Sequence, residues 1–100
     1  MSAMVDPGTL TVEAFERGKD EPFIASVADR EIVLTLTEIQ RLGQGHRDGE
    51  AFSLLFIAPP GPFFPQAIYA LTHPTIGTTE IFLVPLGPRA GGNAYEAIFT

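Results

Sequence analysis

The sequence predicts an all-β domain, a small antiparallel barrel or sandwich of about six strands with one short N-terminal helix. Two observations lead to this prediction. Only residues 11–18 combine a helix cap with helical spacing of apolar side chains. Every later apolar run is short and is broken by glycine or proline, as in strands joined by tight turns. This pattern favours antiparallel strands over alternating parallel strands and helices.

The predicted helix has recognisable start signals. Thr11 is a good N-cap residue, and its side chain can accept a hydrogen bond from the first turn. Leu10 before the cap and Phe15 inside the helix have the spacing of a hydrophobic staple. Glu13 and Arg17 are four residues apart, so we expect them to form an ion pair on the helix surface.

The remaining apolar runs predict the strands, at residues 22–27, 31–42, 51–58, 68–73, 79–86 and 95–100. In the second strand, alternation puts Ile32, Leu34 and Leu36 on the core face, and Val33, Thr35, Thr37, Ile39 and Arg41 on the other. The third strand has no polar residue except Ser53 and is predicted to be buried on both faces. In the fourth, Tyr69, Leu71 and His73 share one side.

Charged residues are concentrated in the first half of the chain. Residues 1–50 hold fifteen of the eighteen charged side chains, whereas residues 51–100 hold only Glu80, Arg89 and Glu96. A strand with one face in water normally has a polar residue at every second position, and the second half has too few of them. We therefore expect part of the second half to be covered on both faces.

Composition excludes several classes of protein. The chain has no cysteine, which excludes disulfides, thiolate zinc sites and cysteine catalysis. No apolar run is long enough for a membrane span, and no signal peptide is recognised, so we expect synthesis in the cytoplasm, with a place in a tail-like or extracellular assembly left open. A net charge of −6 and scattered cations argue against nucleic acid and anionic lipid surfaces as partners.

We expect a single domain over residues 1–100, with residues 1–8 as a flexible arm, and no cofactor.

Two histidines and a carboxylate raise the question of a metal site. The segment 43–49, GQGHRDG, lacks the spacing of a phosphate-binding glycine loop and is predicted to be a hairpin loop. His46, Asp48 and the distant His73 nevertheless have the residue types of a two-histidine, one-carboxylate iron site. The alternative is a solvated loop histidine at 46 and a histidine at 73 that bonds a neighbouring carbonyl.

Other catalytic candidates have ordinary explanations. Ser53 lies in an apolar strand without a histidine or lysine beside it in sequence to activate it. Glu80 and Glu96 could form a carboxylate pair, but isolated carboxylates in strands are usually outward-facing groups that keep the surface soluble.

The segment 58–66, APPGPFFPQ, contains four prolines, which stiffen the loop that presents Phe63 and Phe64. One interpretation is an aromatic anchor for a partner's pocket. The other is a lid, in which both rings fold over the end of the barrel.

The order of several short motifs is similar to that of a known family. These motifs are LTLTE at 34–38, FSLLF at 52–56, PQ at 65–66, Tyr69, Leu71, HP at 73–74, Gly77, FLVP at 82–85, Gly87, YEA at 95–97 and Phe99. Together they resemble a family of short bacterial proteins catalogued as a domain of unknown function, over about residues 9–100, although Ala67 stands where the family pattern has glycine. The resemblance implies a compact β-rich domain and an association with phage-tail or tail-collar-like proteins. It implies no reaction, cofactor or catalytic residue.

The charge-poor second half leads us to expect a non-enzymatic assembly module that self-associates or docks on a fibre-like or phage-tail-like protein. The residues expected to carry the contact are apolar, namely Ile57, Phe63, Phe64, Ile68 and Ile81. Two other functions stay open. One is a small-molecule-binding β-barrel with an apolar interior pocket, and the other is a metal-dependent enzyme that uses His46, Asp48 and His73.

Overall fold

The structure of the chain, a computed structural model, describes residues 4, 10–44, 50–61, 64–89 and 91–99. Its elements are α1 (Val12–Glu16), β1 (Pro22–Val27), β2 (Arg30–Gln44), β3 (Glu50–Ala58), β4 (Ala67–His73), β5 (Gly77–Arg89) and β6 (Gly92–Phe99). The predicted fold class is confirmed, because the described residues form six antiparallel strands and one short helix. Of the predicted arm, residues 1–3 and 5–8 lie outside the described residues, and Met4 forms an isolated bridge with Thr78.

The six strands form one closed sheet in the order β1-β2-β3-β6-β5-β4. Neighbouring strands run antiparallel throughout, and β1 closes the ring by pairing with β4 through Ile24–Thr72, Ala25–Leu71 and Ser26–Ala70. The fold is therefore a barrel and not a sandwich. Successive residues along each strand alternate between the interior and the outer surface.

Aromatic rings fill the interior. Phe52 and Phe99 stack with ring centroids 4.6 Å apart, and Phe15 lies 5.3 Å from Phe99. Phe23 meets Phe56 edge to face at 5.4 Å. A barrel of six strands is narrower than the eight-stranded barrels whose interiors just accommodate side chains or one small ligand, so this filling is expected.

Helix α1 packs Phe15 into the core, where that side chain is fully buried. Thr11 caps the helix as predicted, and its Oγ1 accepts a hydrogen bond from the Ala14 amide at 3.2 Å. The predicted pair between Glu13 and Arg17 is wrong, because Glu13 contacts Arg41 of β2 instead. Among the described residues, no helix has the length and apolarity that crossing a membrane requires.

A bulge in β2 changes which residues face the core. The register with β3 runs from Leu36–Phe56 to Glu38–Leu55, so Thr37 is an extra residue on β2. Its hydroxyl donates to the Leu55 carbonyl at 3.2 Å. Simple alternation predicted that Ile39 faces away from Leu36, and the bulge makes this wrong, because Ile39 packs against the core.

Candidate functional site

Three large apolar side chains lie exposed on the outer surface of β4, β5 and β6. Ile68 is 61% exposed, Phe82 50% and Ile98 58%. Ile68 and Phe82 are direct cross-strand partners, and continuing the register from the Val84–Glu96 pair brings Ile98 level with Phe82. We call Ile68, Phe82 and Ile98 the outer patch. A contiguous apolar surface of this kind is a common mark of a protein contact site.

The outer patch follows from apolar residues at consecutive strand positions. In β5, Ile81 and Leu83 point inward and are buried. The alternate residues, Phe82 and the half-buried Val84, therefore point outward. The expectation that Ile81 carries a partner contact is corrected, because Ile81 is only 6% exposed and belongs to the core. Ile68 does lie on the outer surface, as does the half-buried Ile57 of β3.

The segment around Phe64 lies against the end of the barrel. The Phe64 ring is partly buried and packs against the core, and the guanidinium carbon of Arg30 lies 4.3 Å from the ring centroid. The Phe64 amide donates to Tyr95 Oη at 2.8 Å. Phe64 thus has the position of the lid that the sequence offered as one interpretation, whereas Phe63 lies outside the described residues.

Two further hydrogen bonds hold this segment in place. Tyr69 Oη donates to the Pro65 carbonyl at 2.6 Å, and Asn93 Nδ2 donates to the Gly61 carbonyl at 2.8 Å. Burial raises the pKa of the Tyr69 phenol, and Tyr95 raises it further, while the positive charge of Arg30 lowers it. Polar side chains of the barrel wall therefore fix the loop, since they bond backbone groups of Gly61, Phe64 and Pro65.

His73 is buried at the opposite end of β4, and both of its ring nitrogens have partners. Nε2 lies 2.7 Å from an oxygen of Glu21, and Nδ1 accepts from the amides of Thr75 and Ile76 at 3.1 and 3.4 Å. These bonds assign the neutral Nε2–H tautomer. In the described part of the chain, no group of three His, Asp or Glu side chains could hold a metal ion. His46 and Asp48, the other predicted ligands, lie outside it.

A cleft opens on the outer surface of β2, β3 and β6, with a volume of about 160 Å³. Leu55 of β3 forms its floor and has Glu38 of β2 directly opposite on one side and Glu96 of β6 on the other. The lining residues are Glu38, Gln40, Ser53, Leu54, Leu55, Leu86, Arg89 and Glu96. We call this the acidic cleft, since two carboxylates flank an apolar floor.

The polar groups of the acidic cleft are unpaired within the described residues. Glu38, Glu96 and Arg89 make no salt bridge there, although all three line the same cleft. The Ser53 hydroxyl, in a residue only 8% exposed, has no hydrogen-bond partner among the described residues either. A buried hydroxyl without a partner is uncommon in proteins and calls for an explanation.

The sequence indicated some of these residues in other roles. From the sequence, Ser53 is a candidate nucleophile and Glu96 is a candidate for a carboxylate pair with Glu80. Glu96 lies opposite Val84 of β5, and Glu80 is four residues before Val84 on the same strand. The positions of the two glutamates are therefore about 13 Å apart along the strand direction. The sequence carries no local signal for Glu38, because only the bulge at Thr37 places it opposite Leu55.

The comparison with protein families agrees with the resemblance of the sequence motifs. The family model described as Domain of unknown function (DUF6916) matches residues 10–99, which are 90 of the 100 residues of the chain. Ala67, where the family pattern was expected to have glycine, begins β4 without a positive φ, so alanine is accommodated there. No curated protein and no solved structure matches the chain. The match over nine-tenths of its length shows that the chain belongs to the DUF6916 family.

Proposed function

We propose that this domain is a non-enzymatic assembly module that uses the outer patch to self-associate or to dock on a fibre-like or tail-like protein. The observation that carries the proposal is the exposure of Ile68, Phe82 and Ile98 on three neighbouring strands. The chain itself provides nothing among its described residues that covers this surface. Contact with another protein surface would remove these side chains from water.

The size of the effect is in the range that transient association needs. Full burial of a large apolar side chain stabilises by about 1.5–3 kcal/mol, and each residue of the outer patch is about half exposed. Their combined contribution is therefore about 3 kcal/mol, which must be supplemented by surrounding contacts. A standard interface buries about 800 Å² per partner, about a seventh of the accessible surface of 5847 Å². The outer surfaces of three strands can supply such an area.

The contacts of the candidate catalytic groups support a non-enzymatic role. Both ring nitrogens of His73 are engaged by the chain's own Glu21 and by backbone amides. Ser53 has Gln40 and Ile98 as its cross-strand neighbours, and neither side chain can act as a base toward a hydroxyl. The closed, aromatic interior likewise gives little support to a ligand-binding barrel.

The proposal that the partner is a tail-like protein is more specific than the proposal of an assembly module. Its support is the family resemblance of the sequence together with the charge-poor second half, which supplies all three residues of the outer patch. Fibre and tail proteins are built from repeated copies, so a domain with one apolar side surface could be added to each repeat.

Light scattering after size exclusion tests the proposal, with Phe82→Glu as the variant. We expect the unaltered chain to show a concentration-dependent increase in mass and Phe82→Glu to remain monomeric with unchanged circular dichroism. Val33→Glu is the matched control, because Val33 is 49% exposed on β2, away from the outer patch. A chain that stays monomeric at millimolar concentration and retains no tail-like protein on an affinity column would contradict the proposal, as would equal effects of the two substitutions.

A further inference from the structure

We infer that the acidic cleft is a binding site for a basic side chain, arginine or lysine, presented by a partner protein. This inference rests on the proposed function, because it names the chemistry of the proposed partner. Its evidence comes from residues outside the outer patch. The site is formed by Glu38 and Glu96 on either side of Leu55, with the Ser53 hydroxyl at one end.

The geometry suits a long cationic side chain. Glu38 and Glu96 both lie directly opposite Leu55 on adjacent strands, so their Cα atoms are about 10 Å apart. Carboxylates on such side chains can converge on one guanidinium placed above Leu55. The aliphatic part of an arginine or lysine then packs on Leu55 and Leu86, while its charged end meets the carboxylates.

The Ser53 hydroxyl indicates a ligand in the acidic cleft independently of the carboxylates. This hydroxyl lines the cleft, is more than nine-tenths buried and has no hydrogen-bond partner among the described residues. A buried hydroxyl left without a partner is energetically unfavourable. A guanidinium or ammonium group carries several N–H donors, so one ligand can satisfy the hydroxyl oxygen and the carboxylates together.

The charge balance of the acidic cleft favours a cationic ligand, although Arg89 partly offsets it. Arg89 lines the same cleft as the two carboxylates, so the lining residues carry a net charge of −1. The whole chain carries −6, which adds long-range attraction for a cation. The like charge of Arg89 opposes an incoming basic side chain. Removing Arg89 should strengthen binding of a cation and weaken binding of an anion.

The acidic cleft is continuous with the outer patch, which points to a protein as the source of the cation. Ser53 in the cleft is the direct cross-strand partner of Ile98 in the outer patch. Glu96 lies two residues before Ile98 on the same strand and faces the same way. A partner that covers the outer patch with apolar residues would place a neighbouring arginine or lysine over Leu55.

The test uses Nα-acetyl-arginine N-methylamide as the probe, titrated into the 100-residue chain and followed by amide chemical shifts. The citrulline analogue, which has the same shape and no charge, is the ligand control. We expect saturable shifts at Ser53, Leu55 and Glu96 with the arginine probe and none with the citrulline probe. Equal responses to both probes would overturn the inference.

Three substitutions locate the site. Glu38→Gln and Glu96→Gln should each weaken binding by about two- to fivefold, the range for a single exposed ion pair. Glu80→Gln is the matched control, because it removes the same charge from an exposed strand position outside the cleft, and it should leave affinity unchanged. If Glu80→Gln weakens binding as much as Glu96→Gln, the attraction comes from overall charge and the inference is wrong.

Arg89→Gln tests whether the acidic cleft binds a cation or an anionic or zwitterionic ligand. We expect tighter binding of the arginine probe, whereas weaker binding would overturn the inference in favour of an anionic or zwitterionic ligand. Calcium is titrated as a further probe. If it shifts the same residues and the arginine probe does not, the cleft is a metal site and the inference fails.

Failure of this inference and failure of the proposed function are distinguishable. The first is measured by ligand titration and the second by the mass of Phe82→Glu in light scattering. Phe82→Glu leaves the lining of the acidic cleft intact, so a monomeric variant that still binds the arginine probe supports both. A variant in which the probe no longer binds while the fold is retained contradicts the location of the site.

Discussion

The Nε2 atom of His73 lies 2.7 Å from the carboxylate of Glu21, so the end of β4 is joined to the residue that precedes β1. The same imidazole packs against Phe23 in a tilted arrangement, with ring centroids 4.6 Å apart, and accepts hydrogen bonds from two backbone amides of the turn before β5. One buried ring thus holds three parts of the chain at this end of the barrel. It does so as a structural group, with hydrogen-bond roles that define its tautomer.

Substitution of Glu21 tests that tautomer. Because Nε2–H donates to Glu21, the amide oxygen of Glu21→Gln can still accept this bond, and we expect little change in unfolding free energy. Glu21→Ala removes the acceptor and should cost about 1 kcal/mol. Urea denaturation measures both, and ring nitrogen NMR shifts report the tautomer. If Glu21→Gln is as unstable as Glu21→Ala, then His73 is not neutral and the ion pair matters more than the hydrogen bond.

Tyr69 should make stability depend on alkaline pH. Burial raises the pKa of its phenol, so the unfolded chain loses this proton at a lower pH than the folded chain. The contribution is fully present below the ordinary value of about 10 and is lost as the pH rises through the folded value. Tyr69→Phe removes this loss, together with the hydrogen bond to Pro65. We expect the variant to be less stable by about 1 kcal/mol at about pH 8, with a difference that shrinks at about pH 11. A constant difference across that range in denaturant titrations would contradict this.

Arg41 should anchor helix α1 to the sheet through charge. It forms salt bridges with Glu13 and Glu16 of α1 and with Glu50 of β3. The hydrogen bond to Glu50 is the main cause that raises the pKa of Arg41, and desolvation acts in the opposite direction. Arg41→Met should increase hydrogen exchange in α1 at low salt. The difference should disappear in about 0.5 M NaCl, because these groups are exposed and are screened. Arg17→Met is the control, because Arg17 is the C-cap residue of α1 and has none of these contacts.

Gly92 should tolerate no side chain. A Cβ atom at this position would lie 1.8 Å from the Ala58 carbonyl oxygen on the neighbouring strand. Gly92→Ala therefore forces β3 and β6 apart and should cost about 3 kcal/mol or more. Gly87→Ala is the comparison, because Gly87 has φ of +114° but open space around it. Its cost should be limited to backbone strain, about 1–2 kcal/mol. Equal costs in thermal unfolding would show that the strands yield at Gly92.

The sequence predicted the fold well because the signals for strands are local. Each strand of this barrel is an apolar run bounded by turn residues, and β1 was predicted with its observed limits, Pro22–Val27. The bulge at Thr37 left no such signal, because it depends on pairing with Leu55 of another strand. That single extra residue decides that Ile39 faces the core.

The candidate sites were harder to predict for the same reason. The charge-poor second half indicated exposed apolar surface, but the choice between Ile81 and its neighbour Phe82 depends on strand phase, and the prediction chose the buried one. The acidic cleft combines residues of β2, β3, β5 and β6, which only the order of strands in the closed sheet brings together. Periodicity within one segment carries no information about such an arrangement.

Each of the six strands has a hydrogen-bonded neighbour on both sides. Where a strand of the described residues is paired on both sides, it offers no open backbone row onto which another chain could add a strand. Residues 38–44 of β2 and residues 84–89 of β5 extend past their second neighbour and are paired on one side only. Contacts that other molecules make with the doubly paired part of the barrel must then use side chains, so a few surface substitutions set their specificity.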